Sequence, residues 1–288
     1  MTAPDSDVPP LASEWAARFS TFEQVRAVAL GGSWVTGSAD PLSDLDLIVY
    51  ASPPPPAEAR RALILPTARR AEIDNTFFGT GDEWLDTSGQ GVDAAWWSPE
   101  WMEDQLDRVL VRFEASLGYT TSFWHTLRNS RVLFDRTGWL ARLQERARGP
   151  YPEPLRRSIV AKNHPVLRSK LSSYLEQIEL ALRRADPVSV QHRVTAVLAS
   201  YFDILFAVNR VPHPGEKRLL AHARRLCPKR PPGLEPQVEA VIRAVGHPEQ
   251  ELLPNLHALL DGLDALLVSE GLLPGGTVSS GHVTLPHL

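Results

Sequence analysis

Apolar positions recur at helical spacing through LASEWAARFS (11–20), and the compact apolar run RAVAL (26–30), ending at Gly31-Gly32, predicts a buried strand. Leu45 to Tyr50 predicts a second strand. The proline run Pro53 to Pro56 must end it, because consecutive prolines neither donate ladder hydrogen bonds nor enter a helix interior. AEARRALI (57–64) restarts as a helix, AEIDNTFF (71–78) and GVDAAWW (91–97) are strand candidates, and Ser98-Pro99 opens a helix to about Phe113 with serine as its cap. From about Tyr151 the two-residue alternation gives way to long helical patterns, Leu155 to Arg184 and Val188 to Asn209. His164-Pro165 falls inside the first and predicts a kink or split there. PKRPPGLEP (228–236) reads as a loop, helices follow over Gln237 to Val245 and Gln250 to Ser269, and GGTVSSGHVTLPHL (275–288) reads as a loose tail.

In 288 residues with 43% hydrophobic content, this change of pattern predicts two compact units. Residues 1–148 would form an α/β unit and residues 149–288 an all-α unit, an α+β chain overall. No apolar run approaches the roughly 20 residues of a membrane-spanning helix, and Met1 to Pro10 lacks the basic-then-apolar order of a signal peptide, so a cytoplasmic chain is expected. The single Cys227 excludes an internal disulfide framework and a thiolate cluster, which leaves carboxylates or histidines for any metal. The nine histidines show no ligand spacing, and none is assigned to a metal. Charge is uneven: 14 basic and 21 acidic residues in 1–150, 15 and 6 in 151–230, 1 and 7 in 231–288. A basic middle beside an acidic N-terminal part suits a bound polyanion, and equally suits helices with solvated basic faces.

The chemistry concentrates between Gly31 and Leu47. Alternate residues of a strand share a face, so Asp44 and Asp46 project to one side about 6.6 Å apart while Leu45, Leu47 and Val49 point to the other. Two convergent carboxylates suit a divalent cation, magnesium first, since that hard ion takes a few carboxylates, waters and substrate phosphates. Gly32-Ser33, at a helix start, lets backbone N–H groups approach phosphates and adds a hydroxyl donor. Phosphate loops of the G-x-x-x-x-G-K-[ST] type, H-E-x-x-H pairs and G-x-S-x-G elbows are absent from the sequence.

Gly32-Ser33 followed by Asp44-Leu45-Asp46 in strand context resembles the signature of the DNA-polymerase-β-like nucleotidyltransferase superfamily. The resemblance implies a small mixed-sheet catalytic domain and a pair of magnesium ions with a nucleoside triphosphate, ATP first, as co-substrate. It also implies a third carboxylate on a later strand, either a metal ligand or the base for the acceptor hydroxyl. Asp93, between small or apolar neighbours, is the choice, and Asp74 is the rival. The helical half, with YFDILFAVNR (201–210) and PGEKR (214–218), resembles that of bacterial small-molecule nucleotidyltransferases, which makes Lys217 or Arg218 the cation expected to meet the triphosphate. Asn209 is a substrate contact or a helix cap, and Lys162, Arg168 and Lys170 are further basic candidates. Trp34, beside the Gly-Ser turn, is the aromatic residue set apart from the core-packing role expected of Trp96, Trp97, Trp101 and Trp124. The implied reaction moves a nucleoside monophosphate to a hydroxyl of a small molecule of the aminoglycoside or lincosamide kind. The alternatives are transfer to a protein or tRNA, or a non-catalytic nucleotide-binding or antitoxin-like partner protein.

Overall fold

The structure, a computed structural model, describes residues 8–37, 39–40, 43–77, 79–246 and 248–274; Phe78 and the expected tail 275–288 lie outside the described residues. The first compact unit comprises residues 1–114 and 121–152, the second residues 115–120 and 153–288.

In the first unit the elements run α1 (Pro10–Phe19), β1 (Val25–Leu30), α2 (Gly32–Thr36), β2 (Leu45–Ala51), α3 (Ala57–Ile64), β3 (Ala68–Asn75), β4 (Gly81–Asp86), β5 (Gly91–Trp97), α4 (Pro99–Leu110), α5 (Ser122–Asn129), β6 (Arg131–Asp135) and α6 (Trp139–Ala147). Among the described residues the strands make one sheet in the order β3-β4-β5-β2-β1-β6. Only β2 and β5 run parallel, so the sheet is mixed. Leu45, Leu47 and Val49 alternate onto one face with Val92, Ala94 and Trp96, and that face is closed by Trp15 and Phe19 of α1 and Ile64 of α3. Trp15 meets Trp84 at 4.5 Å and Phe19 meets Trp96 at 5.3 Å between ring centroids, both edge-on. The opposite face carries the even-numbered residues of β2, among them Asp46, Ile48 and Tyr50. Ser98 caps α4 as expected, its side chain accepting from Trp101 N.

The strand at Gly81–Asp86 and the elements at Ser122–Ala147 were not anticipated from the pattern. In β4 the residues facing the closed side are Asp82, Trp84 and Asp86, while Leu85 is exposed, so hydrophobicity does not alternate with burial. Asp82 is sheltered there by Arg60, whose guanidinium also meets Asp74 Oδ1 at 2.7 Å and Pro55 O at 2.9 Å, and by Trp96 Nε1 at 2.7 Å. Asp86 caps its own turn, accepting from the backbone N–H of Ser88, Gly89 and Gln90.

The second unit is helical: α7 (Glu153–Arg168), α8 (Tyr174–Arg183), α9 (Pro187–Val208), α10 (Leu219–Leu226), α11 (Leu234–Ala244) and α12 (Pro248–Ser269). The split expected at His164-Pro165 falls later. Helix α7 runs through Pro165 to Arg168, and α8 restarts after Ser173, which caps it through Glu176 N. Losing the proline N–H removes one ladder bond, and the buried Leu167 beyond it keeps the next turn packed. The expectation about apolar runs is also corrected, because Glu251–Ser269 is long and apolar enough, by length and composition, to cross a membrane. Its leucines 252, 256, 259, 260, 263 and 267 are all buried in the core of this unit, the packing of a core helix. Asn209 caps α9 and ties it to the following loop, bonding Leu205 O and Lys229 O at 2.8 Å and accepting from Lys229 N at 2.9 Å. Asp203, buried on α9, holds residues 115–120 in this unit by accepting from Thr120 N at 3.0 Å and Thr120 Oγ1 at 2.6 Å, with Asn163 Nδ2 at 3.2 Å.

Arg168 is likewise structural, bonding Asp261 Oδ1 at 2.6 Å and also Asp264. Burial pushes the Asp264 carboxyl up, but the hydrogen bonds from His164 and Arg168 with their charges overcome it and hold the carboxyl below its ordinary value. A depressed carboxylate contributes stability that is present above the unfolded-state value, about 3.9, and lost as pH falls through the lower folded value. Urea titrations should show Asp264→Asn costing about 1–3 kcal/mol at pH 7 and much less near pH 2. Equal costs at both pH values would contradict this linkage.

Candidate active site

The turn after β1 begins the site. Gly31 N donates to Asp46 O at 2.8 Å, which continues the β1–β2 ladder by one residue and delivers Gly32 to the start of α2. Gly32 holds φ +62°, a left-handed conformation that a side chain would strain. A Cβ at Gly32 would lie 1.7 Å from Asp46 Oδ2, and one at Gly91 would lie 1.9 Å from Asp44 Oδ1. Each aspartate therefore occupies the space that a glycine leaves open. Trp34 Nε1 donates to Asp44 O at 3.0 Å, so the indole beside the Gly-Ser turn fixes the backbone that carries the first aspartate.

Sheet register assembles the rest. Asp46 and Asp93 are direct partners across the parallel β2–β5 pair, about 4.8 Å apart at the backbone. Asp93 is also opposite Glu83 of β4, and Glu83 is opposite Glu72 of β3, so four carboxylates cross one face in a single row. Asp44 lies beside that row, against Gly91. Asp74 is elsewhere: it takes φ +66° and pairs with Arg60 on the network that shelters Asp82. Lys217 is exposed in the second unit, just before the left-handed Arg218 that starts α10.

Two cavities open on this face. One, of about 470 Å³, is lined by Asp44, Arg70, Glu72, Glu83, Leu85, Gly91 and Asp93 among others. The second, of about 270 Å³, is lined by Gly31, Gly32, Asp46, Asp93, Ala95, Trp97 and residues of α5. Asp93 borders both. Glu83 and Gly91 were not singled out as functional from the sequence. The only local sign was Gly91 two residues before Asp93, whose meaning depends on which strand lies alongside.

A Gly-Ser turn, an Asp-x-Asp strand and a parallel neighbour bearing a third carboxylate come together on one face of a small mixed sheet. Residues 13–108, from α1 to α4, match the model of the nucleotidyltransferase domain, so the chain carries that domain and its activity class is nucleotidyl transfer. Among solved structures, a nucleotidyltransferase-like protein from Exiguobacterium sibiricum 255-15 shares 13% identity over 90% of this chain and 74% of its own, with a TM-score of 0.42. An aminoglycoside 6-adenyltransferase from Bacillus subtilis shares 10% identity over 90% of this chain and 89% of its own, with a TM-score of 0.33. No curated protein matches the sequence.

The contact between Gly91 and Asp44 makes a clean probe. Gly91→Ala meets only the flexible end of Asp44, which can turn away, so the fold should persist while the carboxylate is displaced. An ångström-scale misplacement of a catalytic group costs on the order of 100-fold in rate. Thermal unfolding of the variant should be close to wild type and its rate of pyrophosphate release sharply reduced; an unchanged rate would show that the position of Asp44 is immaterial.

Proposed function

We propose that the chain binds a nucleoside triphosphate, ATP first, with magnesium, and transfers the nucleoside monophosphate to a hydroxyl of a small molecule of the aminoglycoside or lincosamide kind. The observation that carries this reading is the pairing of Asp46 with Asp93 across β2 and β5, with Asp44 on the same face and Gly31-Gly32-Ser33 beside them.

The donor set fits magnesium. Among the described residues no three of His, Cys, Asp or Glu form a ready-made metal cluster. Magnesium does not need one, since it takes one or two carboxylates and completes its shell with phosphates and water. The hard oxygens of Asp44, Asp46 and Asp93, the first two fitted to glycine gaps, are the residues that would hold it. When bound, the metal neutralises phosphate charge and stabilises the attacking and leaving oxygens.

In this reading Gly32 and Ser33 hold the phosphates through backbone and hydroxyl donors. The acceptor oxygen attacks the α-phosphorus, the bond to the β-phosphate bridging oxygen breaks, and pyrophosphate leaves with that electron pair. The acceptor proton passes to a base, and the position of Asp93 on the border of both cavities supports that role. The carboxylates of Glu72 and Glu83 in the larger cavity support an acceptor that carries amines.

The test is pyrophosphate release by purified protein with magnesium, labelled nucleoside triphosphates and a panel of hydroxyl acceptors, aminoglycosides and lincosamides first. Release with a small molecule is expected. No release with any acceptor, tRNA and proteins included, would sink the enzymatic reading.

A further inference from the structure

The two cavities beside Asp93 differ in chemistry. The larger is walled by Asp44, Glu72, Glu83 and Asp93, and its cation, Arg70, is paired with Glu72 at 3.1 Å. A triphosphate placed there would face like charge from these carboxylates, which disfavours it. The smaller cavity contains Gly32 at one end and an aromatic wall, Trp97 and Phe123, at the other.

That wall is rigidly built. Trp97 is held edge-on by Tyr50 at 6.2 Å, Trp101 at 5.4 Å and Phe123 at 5.5 Å, and Phe123 is held in turn by Trp101 at 4.7 Å. Both rings are half-buried and line the cavity, so the cluster uses some of their surface and leaves the rest facing the space beside Ala95. Ring surface fixed in advance binds planar ligands without the entropy loss of ordering a flexible side chain. The hydroxyl-bearing residues Ser122 and Thr126 of α5 stand on the same wall.

We infer that the cavity between Gly32 and the Trp97–Phe123 wall is the nucleoside subsite, with the base stacked on one of these two rings and edge-on to the other, which lies 79° from it, and that the acceptor enters from the acidic side of Asp93. A molecule with phosphates at one end and a planar ring at the other matches the run from Gly32 to Trp97 within one cavity. This rests on the nucleotidyltransferase reading and adds to it the residues that recognise the base. It also explains why Asp93 borders both cavities, since the attacked phosphorus must lie where donor and acceptor meet.

The experiment compares binding of a non-hydrolysable ATP analogue and of inorganic tripolyphosphate, each with magnesium and without acceptor. Wild type should bind the ATP analogue more tightly. Trp97→Ala should weaken the ATP analogue about tenfold to a hundredfold while leaving tripolyphosphate affinity unchanged, and Trp97→Phe should keep most of the gain. Unchanged tripolyphosphate binding reports that the variant is folded. Phe123→Leu, which conserves most of the volume and removes the ring, gives the same comparison if Trp97→Ala fails to fold. Equal affinities of wild type for the two ligands, or ATP-analogue affinity unaffected by the aromatic variants, would overturn the inference while leaving the phosphate site standing. If wild type binds neither ligand, the nucleotidyltransferase reading itself falls, and the subsite with it.

Discussion

Asp46→Asn should lower acceptor-dependent pyrophosphate release by at least about a thousandfold while leaving the protein as stable as wild type or slightly more so. Asparagine keeps the shape of the side chain and its place against Gly32, so packing is preserved. What is lost is one negative charge and a hard oxygen ligand, and nucleotidyl transfer depends on both because charge neutralisation at the phosphates supplies much of the rate. Stability moves the other way, because Asp46 is opposite Asp93, which is opposite Glu83. Like charges directly across a sheet repel by a few tenths of a kcal/mol up to about 1, and removing one relieves that repulsion in the metal-free protein. Asp44→Asn and Asp93→Asn should follow the same pattern, and Asp74→Asn should retain activity, since Asp74 engages Arg60 away from the row. Initial rates and thermal melts on the four variants decide it. Full activity in Asp46→Asn, or loss confined to Asp74→Asn, would overturn the carboxylate assignment.

The second large effect is structural. Arg60→Ala should destabilise the first unit by about 3–5 kcal/mol, the usual cost of stranding one member of a buried ion pair. Arg60 is 2% exposed and its partner Asp82 fully buried, so truncation leaves a carboxylate in the apolar layer with only Trp96 Nε1 and Asp74 N as donors. Arg60 also stacks over Trp96 at 5.2 Å and bonds Pro55 O, so α3, β4 and β5 loosen together. Replacing both partners, Arg60→Met with Asp82→Asn, should recover part of the loss because no charge is then stranded. Chemical denaturation measures both. A cost under about 1 kcal/mol for Arg60→Ala would mean that water reaches Asp82.

Arg60 also shows why part of the fold was hidden. In AEARRALI it reads as an ordinary solvated helix charge, and in GDEWLD two of the three inward residues are aspartates. A buried charge is tolerable only beside its partner, here 22 positions away in sequence. The strand signal of β4 was therefore illegible while that of β2, with Leu45, Leu47 and Val49 inward, was plain. The helical unit shows the same division: α9 and α12 announced themselves by length and apolar spacing, whereas residues 115–120 join that unit through two buried polar residues, Asp203 and Asn163.

The local part of the site was in the sequence. Two-residue periodicity sets Asp44 and Asp46 on the face opposite the leucines, and glycine takes the left-handed turn at position 32 without strain, so neighbouring residues and backbone sterics suffice. Tertiary structure decided what depends on register between distant strands: Asp93 beside Asp46, Glu83 beyond it, Gly91 opened for Asp44, and an aromatic wall drawn from β5 and α5. That register is set by the many small packing contacts of the closed face against α1 and α3, and no single stretch of chain contains both sides of those contacts.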